Sequence, residues 1–282
     1  MNNKQGKIIQ IHLNKWEDIF RLDPIFRMDF IYRGQCNAEW DLRTSIERTF
    51  YPKYNYSSVE FSMIELFFKK HHLYSSREID FNHKSELLAM MQHHGAVTRL
   101  LDFTNSIYIA AYFAIVDNPI LINGIDAAIW AINRRALAKK LSEEIVESFN
   151  SYADRIISKA TIRDKKTVIP IEPLLHTERL SKQQGVFLMP TDSAFSFREN
   201  LCSAFEVDSF EFKDITLDEL LEKFINHEKI NVFKLIIPQK QFFGIADYLR
   251  EVNINAEVLF PGLDGLAKST IHNARFLNIE RR

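Results

Sequence analysis

The segment 106–116, SIYIAAYFAIV, most limits what this chain can fold into, because it is apolar on almost every side. A helix with no polar face belongs inside a protein, so the segment predicts a buried helix. Its β-branched residues leave a strand possible for part of its length. The chain can supply the core that such a helix needs. It has 282 residues, of which 46% are hydrophobic, and a chain near 300 residues buries roughly 75% of its unfolded surface.

Charge and cysteine content narrow the class of protein. The formal net charge is −1 with 26% charged residues, so the whole chain has no bias towards nucleic acid or membrane surfaces. The two cysteines, Cys36 and Cys202, are far apart and lack metal-ligand spacing, as is usual in a reducing compartment. No apolar run reaches the roughly 18 residues of a membrane span, and MNNKQGKIIQ lacks the apolar core of a signal peptide. We therefore expect a cytoplasmic protein without a membrane span.

The order of elements favours an α+β fold. Strands are predicted at 28–33, 125–132, 167–171, 185–189, 231–237 and 256–260. Helices are predicted at 13–23 (ending near Pro24), 57–73, 86–91, 216–226 and 239–251. The helix at 216 is marked by the capping-box spacing of Thr216 and Glu219. Strict βαβ alternation is missing, so we expect a mixed, mostly antiparallel sheet with surrounding helices. The whole chain, 1–282, is interpreted as one domain.

Residues 133–166 differ in amino-acid composition from the rest of the chain. The stretch RRALAKKLSEEIVESFNSYADRIISKA is charged and helical, with few aromatic residues. We interpret it as a helical excursion on the surface. Its basic clusters, RRALAKK and RDKK, leave nucleic-acid binding as a possibility. Aromatic residues for base stacking are not interleaved there, which favours a solvated helix.

The first candidate for chemistry is YRG at 32–34. Arg33 ends an apolar strand beside Gly34, which permits close backbone approach or a positive φ. A guanidinium at a strand end offers a fork of donors to phosphate or carboxylate. The alternative is an edge-strand arginine paired with a surface glutamate.

The second candidate is QHHGAVTRLLDFT at 92–104, where Arg99 and Asp102 enclose two leucines. The leucines favour burial, and an unpaired buried charge costs several kcal/mol, so each charged side chain needs a partner. One interpretation is a structural ion pair between Arg99 and Asp102. The other is a polar floor for a ligand, to which Thr98, Thr104 and His93 contribute. His93 and His94 lack a third ligand at zinc spacing, so no metal is expected.

Two further motifs contain glycine. In SKQQGVF, Gln183 and Gln184 are placed to end a helix and begin a strand, with Gly185 as an ordinary C-cap in the structural alternative. In LFPGLDGLA, Asp264 lies between two glycines. An Asx-type turn explains Asp264 better than a catalytic role does.

Together these motifs resemble the FRG domain family over about residues 12–275. The first match contains Phe30, Arg33, Gly34, Trp40, Leu42, Ser45 and Arg48. The longest match, in 92–115, contains Gln92, His93, Gly95, Thr98, Arg99, Leu100, Leu101, Asp102, Thr104, Ala111, Phe113 and Ala114. Two later matches contain Arg179, Gln184, Gly185, Phe187, and Phe260, Pro261, Leu263, Asp264, Gly265, Leu266. Departures at His94, Val97, Phe103 and Gly262 leave the polar set intact.

More distantly, the order of motifs looks like that of ADP-ribosyltransferases of the Arg–Ser–Glu class. That resemblance implies a split sheet and NAD as a substrate. It implies Arg33, Thr98, Gln184 and Asp102 as catalytic candidates, and Tyr32, Arg33, Gly34, His93, Arg99 and Thr104 as NAD contacts. Arg33 would hold phosphate, Gly34 would contact nicotinamide, and Thr98 or Thr104 would be the hydroxyl element. The class's later glutamate motif has no counterpart here, since only Gln183 and Gln184 stand there.

Two functions from different classes follow. The first is an NAD-consuming enzyme of toxin or antiviral-defence type that modifies a macromolecular acceptor, protein or nucleic acid, and has an antitoxin or defence-system partner. The second is a non-catalytic module that senses a nucleotide or an anion through the same residues. The missing glutamate favours the second, and the ordered arginine and threonine motifs favour the first.

Overall fold

The computed structural model describes residues 5–26, 29–50, 56–76, 78–116, 124–142, 147–159, 165–174, 176–225 and 231–277. The strands are β1 (Gln5–His12), β2 (Phe30–Gln35), β3 (Leu101–Thr104), β4 (Ala127–Asn133), β5 (Val168–Ile171), β6 (Gly185–Pro190), β7 (Ser209–Asp214) and β8 (Val232–Ile237). The helices are α1 (Asp18–Phe26), α2 (Ser45–Phe50), α3 (Ser57–His71), α4 (Lys84–His93), α5 (Ile107–Val116), α6 (Arg134–Ser142), α7 (Phe149–Ser158), α8 (Glu178–Lys182), α9 (Phe197–Ala204), α10 (Leu217–Ile225), α11 (Phe242–Glu251), α12 (Ala256–Leu259) and α13 (Leu263–Leu277).

The eight strands form one mixed sheet in the order β5-β6-β3-β2-β4-β8-β1-β7. Pairing is parallel where β1 meets β7 and β8, and antiparallel at the other five junctions. The prediction of an α+β fold with a mixed, mostly antiparallel sheet is therefore confirmed.

The junction between β2 and β3 is the weakest in the sheet. These strands are joined by the single residue pair Tyr32 and Thr104, whereas β2 pairs with β4 over the whole of Phe30–Gln35. Strands that pair at only one point diverge on either side of it. This divergence leaves room for a cavity beside the middle of the sheet.

Helices cover both faces of the sheet and enclose two hydrophobic cores. The predicted buried helix, α5, packs against β2 in the first core, together with α1, α10, α11 and α12. Side chains of α3, α4, α6, α7 and α9 fill the second core on the opposite face. Successive residues of a strand face opposite sides. Accordingly, Tyr32 of β2 lies in the first core and Ile31 lies in the second.

The described part of the segment 133–166 is packed more deeply against the sheet than the sequence indicates. Its described part contains α6 and α7, both amphipathic, and residues 143–146 and 160–164 lie outside the described residues. Leu137 and Leu141 of α6 are buried against the second core, as are Tyr152 and Ile156 of α7. The two helices are thus part of the layer that covers the sheet.

Two sequence predictions about local structure are wrong. Residues 256–260 form α12 and not a strand, because the Asn255 side chain caps the helix by accepting a hydrogen bond from the Val258 backbone (3.1 Å). The first helix begins at Asp18 and continues past Pro24 to Phe26. Strands β1, β3 and β7 were not among the strands predicted from the sequence. No helix in the described ranges is long and apolar enough to span a membrane.

Candidate functional site

A cavity of about 830 Å³ opens where β2 and β3 diverge. Its walls come from these strands, the loop after β2, α8 and the start of β6. The lining consists of Tyr32, Arg33, Gly34, Gln35, Cys36, Glu39, Trp40, Asp41, Arg43, Arg48, Gln92, Asp102, Phe103, Thr104, Phe113, Arg179, Leu180, Gln183, Gly185, Val186 and Phe187. Three of the four motifs selected from the sequence therefore meet at one cavity.

Arg33 lies on the face of β2 opposite to α5, with its side chain only 19% exposed. Its Nη1 donates a hydrogen bond to the backbone oxygen of Asp102 (2.8 Å) and lies 3.7 Å from a carboxylate oxygen of the same residue. Its Nε is buried and has no hydrogen-bond partner within the described chain. Burial lowers the pKa of Arg33, Asp102 opposes that shift, and the nearby cation of Arg48 adds to it. The protein thus neutralises this guanidinium incompletely.

Three more arginines surround the same cavity. Arg48 follows β2 on α2, and its Nη1 donates to the backbone oxygen of Arg43 (2.8 Å). Arg179 of α8 lies on the other side, with its guanidinium 4.8 Å from the ring centroid of Phe260. In the described part of the chain, no carboxylate lies within ion-pair distance of Arg43, Arg48 or Arg179. The cavity therefore contains cations that can bind an external anion.

Asp102 is the carboxylate nearest to Arg33, and its side chain is 61% exposed. It accepts a hydrogen bond from Gln92 Nε2 (2.7 Å), and Gln92 in turn accepts one from the hydroxyl of Thr98. Thr98 is fully buried and does not reach the cavity. Thr98 is therefore placed to orient Gln92, and Gln92 in turn orients Asp102. The other carboxylates of the lining are Glu39 and Asp41, and Asp41 is paired with Arg198 (3.2 Å).

Arg99 does not pair with Asp102, so the structural brace predicted between them is not formed. Arg99 is buried and points away from the cavity, where its Nε pairs with Glu60 of α3. Its backbone nitrogen also donates to Glu60 (3.0 Å), and its Nη2 donates to Ser57 (3.3 Å). Each of the two charges in the motif has found a partner elsewhere in the fold.

Thr104 and the glutamine pair connect β3 to β6. The hydroxyl of Thr104 donates to the backbone oxygen of Gln183 (2.7 Å). Gln183 lines the cavity, and its Nε2 donates to the backbone oxygen of Leu259 (3.0 Å). Gln184 takes the left-handed conformation that ends α8, with φ of 47°, and it is not in the lining. The prediction of a helix end followed by a strand is confirmed, but Gln184 and not Gly185 is the left-handed residue.

Gly34 is needed for packing behind the cavity. A Cβ at this position would lie 2.0 Å from the backbone oxygen of Ala110 in α5. The glycine therefore permits the close backbone approach that the sequence indicated, and it has no positive φ. Tyr32 and Gly34 both border the cavity.

His93 lines a smaller recess of about 80 Å³ that shares Gln92, Asp102, Arg179 and Gln183 with the cavity. Burial lowers the pKa of His93, and the neighbouring His94 and Arg179 lower it further. The described residues contain no group of three or more His, Cys, Asp or Glu side chains arranged to hold a metal ion. His93 is thus near the candidate anion site without belonging to its main lining.

Four residues of the lining were not predicted as site residues from the sequence: Trp40, Arg43, Arg48 and Arg179. Three of them, Trp40, Arg48 and Arg179, stand in the motifs that resemble the family. The available signal was the position of Trp40, Arg43 and Arg48 within fifteen residues after the YRG strand. Arg179 could not be placed without the fold, because α8 reaches the cavity only through the pairing of β6 with β3. Asp264 lies in the first turn of α13 and outside the lining.

Comparison with known proteins gives one match. No curated protein matches the chain, and no solved structure matches it. Residues 28–119 match the family model of the FRG domain. The matched segment contains β2, β3 and most of the cavity lining, while residues 179–187 complete the cavity from outside it. Residues 28–119 are therefore similar to the FRG domain family.

Proposed function

We propose that the cavity binds NAD and that the protein is an NAD-consuming enzyme of the ADP-ribosyltransferase type. The observation that carries the proposal is the buried Nε of Arg33, a donor without a partner in the described chain, on a guanidinium beside a second arginine, Arg48. Buried polar groups in native proteins normally have partners, and an exception calls for an explanation. A phosphate group of the ligand would supply the counter-charge that the guanidinium groups of Arg33 and Arg48 lack.

The size and charge of the cavity fit a dinucleotide. Ligand sites for small molecules and cofactors usually span about 300–1,000 Å³, and this cavity has about 830 Å³. Arg48 is close enough to Arg33 for its positive charge to lower the pKa of Arg33. Two neighbouring guanidinium groups match the two negative charges of a diphosphate, because each presents a planar fork of donors.

The arrangement of strands supports the resemblance to ADP-ribosyltransferases. The Arg33 strand (β2), the Thr104 strand (β3) and the strand that follows Gln184 (β6) are neighbours in the sheet. The sheet also comes close to dividing at the β2–β3 junction, as a split sheet requires. The three motifs are far apart in sequence and border one cavity, which is what a site for a single ligand needs.

The proposed reaction breaks the bond between the nicotinamide nitrogen and the ribose. The bonding electrons leave with nicotinamide, positive charge develops on the ribose, and a nucleophile of the acceptor forms the new bond and loses a proton. A carboxylate near the ribose stabilises the developing charge. Asp102 is our candidate for that carboxylate, because it lies beside Arg33 and is held by Gln92.

The geometry changes the roles proposed for several residues. Gln183 takes the place of Gln184 as the amide nearest to the ligand, since only Gln183 lines the cavity. Thr104 positions Gln183 through its hydroxyl, and Thr98 positions Asp102 through Gln92. Arg99 is assigned to the fold. The macromolecular acceptor, the toxin or antiviral-defence role and an antitoxin or defence-system partner are further parts of the proposal.

The test is NAD consumption by purified wild type, Arg33→Ala and Arg250→Ala. Arg250 is an exposed arginine paired with Asp247 on its own helix, so it controls for the loss of a cation far from the cavity. Wild type and Arg250→Ala are expected to consume NAD, and Arg33→Ala is not. Mass spectrometry of treated cell lysate identifies any ADP-ribose adduct. Full turnover by folded Arg33→Ala would contradict the proposal.

One observation favours the non-catalytic alternative. The residues before β6 are the amides Gln183 and Gln184, so the wall opposite Arg33 offers no carboxylate there. A sensor of nucleotides would not need one. Saturable NAD binding that depends on Arg33, without formation of nicotinamide, would establish the sensor and exclude the enzyme.

A further inference from the structure

We propose that Trp40 is the platform on which the cavity stacks the nucleobase of its ligand. The proposal rests on the proposed function, because it assumes that the anion bound by the arginines is a nucleotide. It adds a second subsite, for a flat aromatic base, at the opening of the cavity. With NAD as ligand, the base would be adenine, at the end of the molecule away from the reacting bond.

Trp40 is far more exposed than the other two tryptophans of the chain. Its side chain is 52% exposed, although it lies in the cavity wall. The other two tryptophans, Trp16 and Trp130, are 7% and 1% exposed. Tyr32 and Phe187, which are also in the lining, are buried in the cores. Trp40 therefore presents a large aromatic surface to the cavity that the protein itself does not cover.

This exposure does not come from a loose loop, because the backbone around Trp40 is held at several points. The backbone nitrogen of Ala38 donates to the backbone oxygen of Asp126 (2.7 Å). The side chain of Gln35 donates to the backbone oxygen of Asp41 (3.2 Å). The side chain of Asp41 is paired with Arg198 (3.2 Å). A held backbone reduces the entropy lost when a ligand binds.

Lys234 supports the loop from behind. It is a buried lysine of β8, and its Nζ lies 3.5 Å from the backbone oxygen of Trp40 and 4.6 Å from the ring centroid of Trp130. Trp130 donates a hydrogen bond to Gln35 Oε1 (2.7 Å), so the loop and its support form one connected network. The ring of Trp40 is thus carried on a rigid part of the fold.

The neighbours of Trp40 identify the ligand class. Arg43 and Arg48 share the same wall and have no carboxylate partner in the described residues. Exposed aromatic rings beside unpaired cations are how proteins bind the bases and phosphates of nucleotides, because every base has a face that stacks. An apolar partner would leave the arginines unused, and a simple anion would leave the tryptophan unused.

The experiment compares two probes, ADP-ribose and inorganic pyrophosphate, by calorimetry at one pH and salt concentration. Pyrophosphate reports the arginine site alone, and ADP-ribose reports the arginine site together with the base. The variants are Trp40→Leu, Trp40→Phe and, as a matched exposed aromatic outside the cavity, Tyr74→Leu. We expect Trp40→Leu to weaken ADP-ribose binding about tenfold, within the range of base stacking on an aromatic side chain. Pyrophosphate binding should not change, Trp40→Phe should restore most of the loss, and Tyr74→Leu should behave as wild type.

A second readout separates stacking from a merely structural role. ADP-ribose should protect the exposed tryptophan from acrylamide quenching, while pyrophosphate should not. Equal weakening of both probes by Trp40→Leu, or no weakening of ADP-ribose binding, would overturn the proposal, as would failure of ADP-ribose to bind wild type. NAD turnover is measured on the same samples. Stacking without turnover would leave the base subsite standing and remove the proposed enzyme activity.

Discussion

Arg33 lies in β2 and Arg99 lies just before β3, and the two arginines differ in how fully their charges are paired. Arg99 is 2% exposed, and the structure satisfies it with the carboxylate of Glu60 and the hydroxyl of Ser57. Arg33 is 19% exposed, and it has one backbone acceptor, a carboxylate at 3.7 Å and a buried Nε that has no partner among the described residues. Both side chains are mostly removed from water, but among the described residues only the charge of Arg99 is fully balanced.

The comparison separates a charge that the fold balances from one that, in our proposal, a ligand balances. Taking a charge out of water is costly, and good geometry with a counter-charge offsets that cost. Arg99 meets the condition, so it needs nothing from outside the fold. Arg33 meets it only in part, and the remaining cost is what a bound anion can relieve. We infer that the completeness of pairing distinguishes the two roles better than burial does.

Glu60→Ala is expected to have the largest effect of the changes considered, because it breaks the balanced pair. It leaves the Arg99 guanidinium buried without a counter-charge and removes the acceptor of the Arg99 backbone nitrogen. Removing one partner of a buried pair costs about 3–5 kcal/mol. Urea unfolding followed by circular dichroism should show that loss in the free energy of unfolding. The exposed Glu251→Ala should change it by less than about 0.5 kcal/mol.

A double variant sharpens the test of the buried pair. Glu60→Leu combined with Arg99→Met removes both charges, and apolar replacement of a whole buried pair is often neutral. The double variant should therefore be more stable than Glu60→Ala. A loss below about 1 kcal/mol for Glu60→Ala would show that the pair is not needed for stability, and the comparison with Arg33 would fail.

Arg33→Met tests the incompletely paired arginine. Unlike Glu60→Ala, it should change stability little and weaken anion binding strongly. Its stability should lie within about 1 kcal/mol of wild type, because one hydrogen bond is lost while an incompletely paired charge is removed. Binding of pyrophosphate should weaken about 10- to 100-fold, the value of one or two charge-assisted hydrogen bonds. Pyrophosphate should raise the Tm of wild type and of Arg250→Ala, but not that of Arg33→Met. If Arg33→Met unfolds as readily as Glu60→Ala, then Arg33 is structural.

Much of the fold could be predicted where local signals agree. The segment that forms α5 is apolar throughout, which alone predicts a buried helix. The capping box of Thr216 and Glu219 alone predicts the start of α10, and both of its hydrogen bonds are present. The segment AEVLF does not contain such evidence. Its residues suit a strand or a helix, and the cap supplied by Asn255 decides for α12. Strand β7 is mostly exposed, so it lacks the buried alternation that marks a strand.

The motifs that form the candidate site could be predicted from the sequence, but the hydrogen-bond and ion-pair partners of their residues could not. Arg33, Asp102 and Thr104 were selected from the sequence, and they border one cavity. The partner of Arg99 could not be read from the sequence, because Glu60 is separated from it by 39 positions. The choice between Gln183 and Gln184 depends on where the left-handed residue falls, and only the fold shows that it is Gln184.

Asp102→Asn should change pyrophosphate binding less than Arg33→Met does, and it should act mainly on NAD turnover. Asp102 is more than half exposed, and ion pairs that water reaches contribute about 0–1 kcal/mol. Removing its negative charge should leave pyrophosphate binding unchanged or strengthen it by up to about fivefold. If Asp102 is the charge-stabilising carboxylate, NAD turnover should disappear while NAD still binds. Turnover near the wild-type rate would exclude Asp102 from the chemistry and direct attention to Glu39.

The smallest expected effect is a pH dependence due to His93. Burial, His94 and Arg179 lower the pKa of His93 below its ordinary 6.5, so the unfolded chain binds more protons near that pH than the folded protein does. The contribution of His93 to stability is therefore present above pH 6.5 and is lost as the pH falls through its lowered pKa. Partial exposure keeps the loss under about 1 kcal/mol. Urea unfolding should show wild type losing stability relative to His93→Gln as the pH falls below 6.5.

An anion in the cavity should act on His93 in the opposite direction. Neutralising Arg179 removes part of the repulsion that lowers the pKa of His93, so ligand binding should be accompanied by proton uptake. ADP-ribose is a suitable probe, because the charges of its diphosphate diester do not titrate near neutral pH. Its affinity should rise modestly as the pH falls in wild type and stay flat in His93→Gln. His72→Gln, at the exposed end of α3, should retain the wild-type profile. The same pH profile in His93→Gln as in wild type would place the anion away from the His93 recess, nearer to Arg43 and Arg48.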